Sequence, residues 1–313
     1  MVMGSLASQA KLEIYVSATS LMDNRFGASP ALVFRLILRE AVFAEGLKRC
    51  LEPSSVMEDP QNVESFHAQG TDRGALIPVY HFNALAISAL LPYNGTVIDL
   101  GSGSGQFLSY LARCRPDSNI IGLDLSEGMV NVGKKALRES SLEAAVRLDL
   151  GDMTRFSGQI SERVDVLSSI FALHHLPSSE DLIRCFDEIK VVRERCSCGV
   201  WIFDHARPRS IETAKVFPEL FTPEASESFK QDSTNSLLAS FSFRELSERI
   251  DKASIGTFSH ECSRILRLYQ IHWLKAEDKQ TSTQQGICRD ITLRPEEYKT
   301  FRQLRMLFRR MPF

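Results

Sequence analysis

Asp99 closes a short run of β-branched residues, Thr96-Val97-Ile98, and is followed by glycines on alternate positions at Gly101, Gly103 and Gly105. Those residue types in that order suit holding a nucleotide-like molecule against the backbone. Glycine puts no Cβ between chain and ligand and tolerates positive φ. The amide end of a helix starting at Gln106 or Phe107 would face whatever is bound. A second acid, Asp124, ends the apolar run Asn119–Leu125, 23 residues after Gly101. Its two oxygens can accept both hydroxyls of a ribose. A third, Asp152, stands in Gly151-Asp152-Met153 at the end of Val146–Asp152. Three histidines follow: His174 and His175 after the run Asp165–Phe171, and His205 directly after Asp204 at the end of Gly199–Asp204. An imidazole near its ordinary pKa moves protons at neutral pH, so these three are the candidates for acid–base work beside the ligand. His174 and His175 could equally cap the next helix and frame the ligand without touching a proton.

Apolar runs of strand length alternate with helical stretches from Tyr80 to His205. That alternation predicts a doubly wound parallel sheet, in which ligands meet the carboxyl ends of the strands near the switch point. Every acid and histidine above falls at such an end. Ser126 can cap the helix after Asp124, and Met129 in its first turn can lie over an adenine edge.

The pattern Asp-x-Gly-x-Gly-x-Gly, Asp99 to Gly105, resembles motif I of the class I S-adenosylmethionine-dependent methyltransferases. The dinucleotide fingerprint would need its third glycine where this chain has Gln106. The resemblance covers roughly residues 80–205. It implies that the loop wraps the amino-acid end and ribose of S-adenosylmethionine, that Asp152 takes the adenine amino group, and that the Met153 amide takes a ring nitrogen. An aromatic residue before the loop, here Tyr80, would approach the cofactor carboxylate. The implied cofactor set is Tyr80, Asp99, Gly101, Ser102, Gly103, Gly105, Gln106, Asp124, Leu125, Met129, Gly151, Asp152, Met153 and Phe171. The implied fold is α/β: a Rossmann-like, seven-stranded sheet with an antiparallel end strand, plus an N-terminal helical segment and a C-terminal helix. The implied reaction is methyl transfer to an O, N or S nucleophile of a small molecule. The rival readings are a nicotinamide-dependent oxidoreductase, which the glycine spacing disfavours, and a protein that binds the cofactor without methylating, or without catalysis.

Around this core, residues 1–72 read as a helical or lid segment, 73–275 as the methyltransferase domain with a helical substrate-side insertion at 211–250, and 276–313 as a basic amphipathic extension. Ser29-Pro30 starts what reads as one helix through Glu52, a candidate homodimer face. Residues 53–72, polar and with two prolines, read as a linker. The phenylalanines of 211–250, among them Phe217, Phe221, Phe229, Phe241 and Phe243, can wall an acceptor pocket. Residues 278–286 read as a loop, and 293–311 as a helix with six basic residues against Glu296 and Glu297.

The formal net charge of −2 gives no electrostatic case for nucleic acid. There is no run of 18 apolar residues for a membrane span and no leader pattern at the start. Seven scattered cysteines read as reduced thiols, and with the missing leader they point to the cytoplasm. Cys196 and Cys198 would support thiophilic metalloid chemistry only if they converged on the acceptor site. His174-His175 has no third donor at a convincing spacing, so no metal is expected.

Overall fold

In a computed structural model, residues 30–42, 46–53, 74–222, 225–277 and 288–313 are described. The predicted linker 54–72, residues 1–29 and the loop 278–286 lie outside them. Seven strands form one sheet: β1 Thr96–Leu100, β2 Asn119–Asp124, β3 Val146–Leu150, β4 Val166–Ile170, β5 Gly199–His205, β6 Ser259–Cys262 and β7 Tyr269–Leu274. Their order is β3-β2-β1-β4-β5-β7-β6. The first five are parallel, and β7 runs antiparallel to both β5 and β6. This is the Rossmann-like sheet expected. The chain leaves β1 toward β2 on one side and returns to it through β4 on the other, so the switch point lies between β1 and β4.

Alternation along the strands sorts the core into two layers. Val97, Ile120, Val146, Val166, Trp201 and Phe203 face a layer formed by α2 (Ile77–Leu90), α3 (Gln106–Cys114), α4 (Glu127–Glu139) and the C-terminal α9 (Pro295–Met306). Ile98, Leu100, Ile121, Leu123, Leu167 and Ile202 face α5 (Ser179–Cys196) and α8 (Phe243–Ala253). Strands covered on both faces read as nearly continuous apolar runs, which is why the sequence betrays them. The basic C-terminal helix docks on the domain itself: Phe301 meets His81 edge-on at 4.7 Å, and Leu304 and Phe308 are buried against the α2 layer.

A third apolar cluster forms a cap. It joins α1 (Pro30–Val42) through Val33 and Leu36 to α6 (Ile211–Phe221), α7 (Glu227–Ala239) and the turn Ile265–Leu268. The buried Glu40 of α1 accepts the amides of Arg209 and Ser210 at 2.8 and 3.1 Å, capping the start of α6. The insertion 211–250 is thus three helices. The predicted helix to Glu52 is corrected: α1 ends at Val42, and residues 46–53 are an irregular strap. Gly46 sits at φ +38°, a poor helix residue, and the strap side chains find partners across the domain.

The strap is held by Arg49. Its guanidinium donates to the carbonyls of Ala239 (2.5 Å), Leu176 (2.5 Å) and His174 (2.9 Å), and it lies 3.9 Å over the Phe241 ring. The Cys50 amide donates to the Leu238 carbonyl at 3.0 Å. No helix among the described residues is long and apolar enough to cross a membrane.

Candidate active site

The amides of Gly101 and Ser102 donate to the Leu123 carbonyl at 2.8 and 3.0 Å, pinning the glycine loop to the end of β2. Gly101 has φ +74°, and a Cβ there would stand 2.4 Å from Ala172 Cβ, so no other residue fits. Gly103, at φ +55°, differs: a Cβ would meet nothing within 4 Å. That open space over the loop is a cradle for a ligand. Gly105 begins α3, whose first turn has no side-chain cap, and Gln106 is its first residue.

Asp99 is 2% exposed and accepts a hydrogen bond from Ser168 Oγ at 2.6 Å. Burial pushes its carboxyl up to about 7; the Ser168 bond opposes this and the charge of Asp124 adds to it. Tyr80 is buried against Phe107 and Tyr110, and burial and the charge of Asp99 push its phenol up. A cation brought near this carboxyl would draw out its proton. Asp124 accepts the Gly103 amide at 2.6 Å and the Ser126 amide at 2.9 Å. Burial raises its carboxyl, while those two amides and the nearby His175 pull it back. Leu125 and Leu150 are both about half exposed beside it, an apolar surface at the ends of β2 and β3. Met129 is buried, and its amide donates to the Ser126 cap at 3.1 Å.

The Gly151 amide donates to the Asp124 carbonyl at 2.9 Å, bringing the third strand end beside the second. Asp152 accepts the amide and hydroxyl of Thr154 at 2.8 and 2.7 Å and pairs with the exposed Arg155 at 3.1 Å. Its other oxygen is therefore covered by one exposed arginine. Met153 packs under the loop against the Gly101 position.

Behind β4 lies the second half of the site. Phe171 has φ +52°, an outlier for a bulky residue. Its amide donates to the Phe203 carbonyl at 2.8 Å. Its ring stacks on His205 at 4.5 Å, and His205 stacks in turn on Tyr269 at 5.4 Å, with Phe217 edge-on to both. Burial pushes the His205 imidazole down to about 3, and its Nδ1 is buried with no hydrogen-bond partner. This histidine is neutral, with one unpaired ring nitrogen, in an aromatic wall.

His174 is different in kind. Its Nδ1 lies 2.7 Å from Asp204 Oδ1, its amide donates to Asp204 Oδ2 at 3.1 Å, and its Nε2 is 3.9 Å from Glu52 Oε1. Burial works against its charge, but Asp204 and Glu52 outweigh burial and raise its pKa. His175 is 38% exposed along its side chain, with Nδ1 2.5 Å from Glu52 Oε2. Burial works against the Glu52 charge too, but His175, His174 and the Ser236 hydroxyl (2.7 Å) bring its carboxyl down to about 2.

The fold thus brings together every predicted strand-end residue. It adds four that spacing could not reveal: Glu52, Ser168, Ser236 and Arg49. Glu52 is separated from His174 by most of the sheet in sequence and announces itself by no motif. Cys196 and Cys198 lie at the entry of β5, at the opposite end of that strand from His205, and do not converge on the site. The Ile211 and Phe243 helices supply Phe217 to the aromatic wall and Phe243 to a stack on His272 at 5.6 Å, away from it.

Residues 97–194 match the family model described as a methyltransferase domain. The Bacillus subtilis protein named as a methyltransferase, YqeM, is 30% identical over 135 residues, 42% of this chain and 50% of that one. A demethylmenaquinone methyltransferase of Bacteroides fragilis is 28% identical over 105 residues, 33% of this chain and 41% of that one. The plantazolicin methyltransferase BpumL, solved in complex with SAH, superposes with a TM-score of 0.52 at 12% identity, over 79% of this chain and 97% of that one; at that identity it speaks for the fold. The chain carries a methyltransferase domain over residues 97–194, on a fold it shares with BpumL. It spans half or less of the length of these curated relatives, and the acceptor it serves is a separate question.

Proposed function

We propose that the chain transfers the methyl group of S-adenosylmethionine to a nucleophile on a small molecule enclosed between the β4 loop and the helical cap. The observation that carries this is the meeting of three acidic strand ends, Asp99, Asp124 and Asp152, around an open glycine cradle. The aromatic wall of Phe171, His205, Tyr269 and Phe217 starts one residue past β4.

The cofactor supplies an electrophilic methyl on a cationic sulfonium. Asp99, with Tyr80 behind it, holds the ammonium end. The loop from Gly101 through Ser102, Gly103 and Gly105 to Gln106 lines the cradle, and Asp124 takes the ribose diol. Leu125, Gly151, Asp152 and Met153 receive the adenine, Arg155 swinging aside, and Met129 backs the same end. Phe171 separates the two halves. On the acceptor side the chain excludes water and fixes the nucleophile, the main requirement of an in-line displacement. His205 offers its unpaired Nδ1 to the acceptor as a hydrogen-bond partner. Its depressed pKa makes it a positioning group more than a proton store. His174 has carboxylates at both ring nitrogens, so it orients the loop, and His175 borders the ribose carboxylate.

The same proposal makes the protein cytoplasmic, with no nucleic-acid partner. The outer face of α1, where Phe34 and Leu38 are exposed, would be the homodimer contact. The test is incubation of purified protein with methyl-labelled cofactor and a panel of small phenols, amines, acids and thiols. Label in a small-molecule product supports the reading; label only in protein or RNA, or in nothing although the cofactor binds, overturns it.

A further inference from the structure

The loop after β4 and the strap place two imidazoles and one carboxylate at a common point. His174, His175 and Glu52 each offer one ligand atom, and all three atoms lie within 4.8 Å of one another. Three observations bear on what this cluster is for.

First, the tautomer of His174 is set. Its Nδ1 faces Asp204 Oδ1 at 2.7 Å, and that carboxylate is held on both oxygens by the amides of His174 and His205. A proton on Nδ1 leaves the lone pair of Nε2 pointing toward Glu52. A carboxylate behind a histidine whose other nitrogen faces an electron-rich pocket is the arrangement that orients metal-ligating imidazoles. Second, His175 Nδ1 is buried and makes no hydrogen bond of acceptable angle, although Glu52 Oε2 is 2.5 Å away. Third, the carboxylate is itself oriented: Ser236 Oγ donates to Glu52 Oε1 at 2.7 Å.

We propose that Glu52, His174 and His175 form a site for a divalent transition ion, zinc being the best fit, on the acceptor side of the cofactor cradle. Two imidazole nitrogens and one carboxylate with a position left open is a donor set zinc uses when it also binds a substrate or water. Calcium and magnesium, which take oxygen donors, fit it poorly. Among the described residues this is the one group of three or more such side chains that converges. The guanidinium of Arg49 is close, but it is spent on the carbonyls of Ala239, Leu176 and His174. The ion-binding claim stands apart from the methyltransferase reading. Its consequence rests on that reading: an ion here would take a hydroxyl or thiol acceptor as its open ligand and release its proton at neutral pH. That supplies the ionisation which the neutral His205, and His174 held on Asp204, do not.

The test uses the full chain, stripped with chelator and titrated with zinc chloride in a calorimeter. S-adenosylmethionine binding and far-ultraviolet circular dichroism serve as fold checks. One zinc per chain is expected. Glu52→Gln and His175→Ala should each weaken binding at least tenfold, and Asp204→Asn by roughly 10- to 100-fold, the usual cost of losing such a partner. Cobalt in place of zinc should give visible d–d bands without a thiolate charge-transfer band. Zinc binding that survives in the folded Glu52→Gln and His175→Ala variants, or cobalt bound through thiolate, would overturn the site. So would no zinc binding by a chain that still binds S-adenosylmethionine.

Discussion

Replacing Asp99 by Asn tests the electrostatics at the centre of the cradle. The wild-type carboxyl is buried, and its pKa is pushed from 3.8 up to about 7. A raised folded-state pKa means that folding favours the protonated form. The stabilisation is therefore complete below the unfolded value and is lost as pH rises through the folded value. The full difference corresponds to roughly 4 kcal/mol, and the part falling between pH 5 and pH 8 to roughly 3 kcal/mol. Asn keeps the shape, and its carbonyl oxygen can still accept the Ser168 hydroxyl, but it cannot ionise. Urea unfolding of both proteins at several pH values isolates this group, because other titrating residues cancel in the difference. Asp99→Asn should gain on wild type by roughly 3 kcal/mol from pH 5 to pH 8. Its affinity for S-adenosylmethionine should fall at least tenfold at pH 8, because the ammonium end loses its counter-charge. A stability difference that does not change with pH, or unaltered cofactor affinity, would exclude a buried, ammonium-binding carboxyl at Asp99.

Gly101→Ala and Gly103→Ala should separate structure from binding. The first drives a Cβ to within 2.4 Å of Ala172 Cβ and should lower stability by about 2 kcal/mol or more in urea titration. The second meets open space, so it should cost only about 1 kcal/mol of backbone strain while weakening cofactor binding severely in calorimetry. Arg49→Ala removes a guanidinium that ties the strap to three carbonyls; it should cost about 2 kcal/mol and speed amide exchange in residues 46–53 seen by mass spectrometry. His205, with its pKa pushed down to about 3, should stay neutral throughout the working range. Its carbon-bound ring protons, followed by NMR, should not titrate between pH 5 and pH 8, and a mid-range titration would contradict its buried, neutral state.

The parallel core was legible because its strands are covered on both faces and read as apolar runs, each ending in an acid. Local spacing puts Asp99 and Asp124 in strands, the alternate glycines in the loop between, and Ser126 at a helix cap, and the structure has each of them there. The strap was not legible. Apolar periodicity ran on past Val42, and only tertiary partners for Arg49, Cys50 and Glu52 outweigh it. Nor was the division of labour among the histidines. His174, His175 and His205 look alike in sequence, yet one is flanked by two carboxylates, one is half open, and one is stacked between aromatic rings. Those differences come from Glu52, Asp204 and Tyr269, brought in from distant segments, and no local pattern records them.

If the three strand ends build an S-adenosylmethionine site, the purified chain must bind that cofactor. Calorimetric titration of the purified chain with S-adenosylmethionine, with NADH as the control, tests it most directly. Micromolar binding of the first is expected, one molecule per chain and lost on Asp124→Ala, with no heat from the second. Binding of NADH in its place, or S-adenosylmethionine binding indifferent to Asp124, would contradict it.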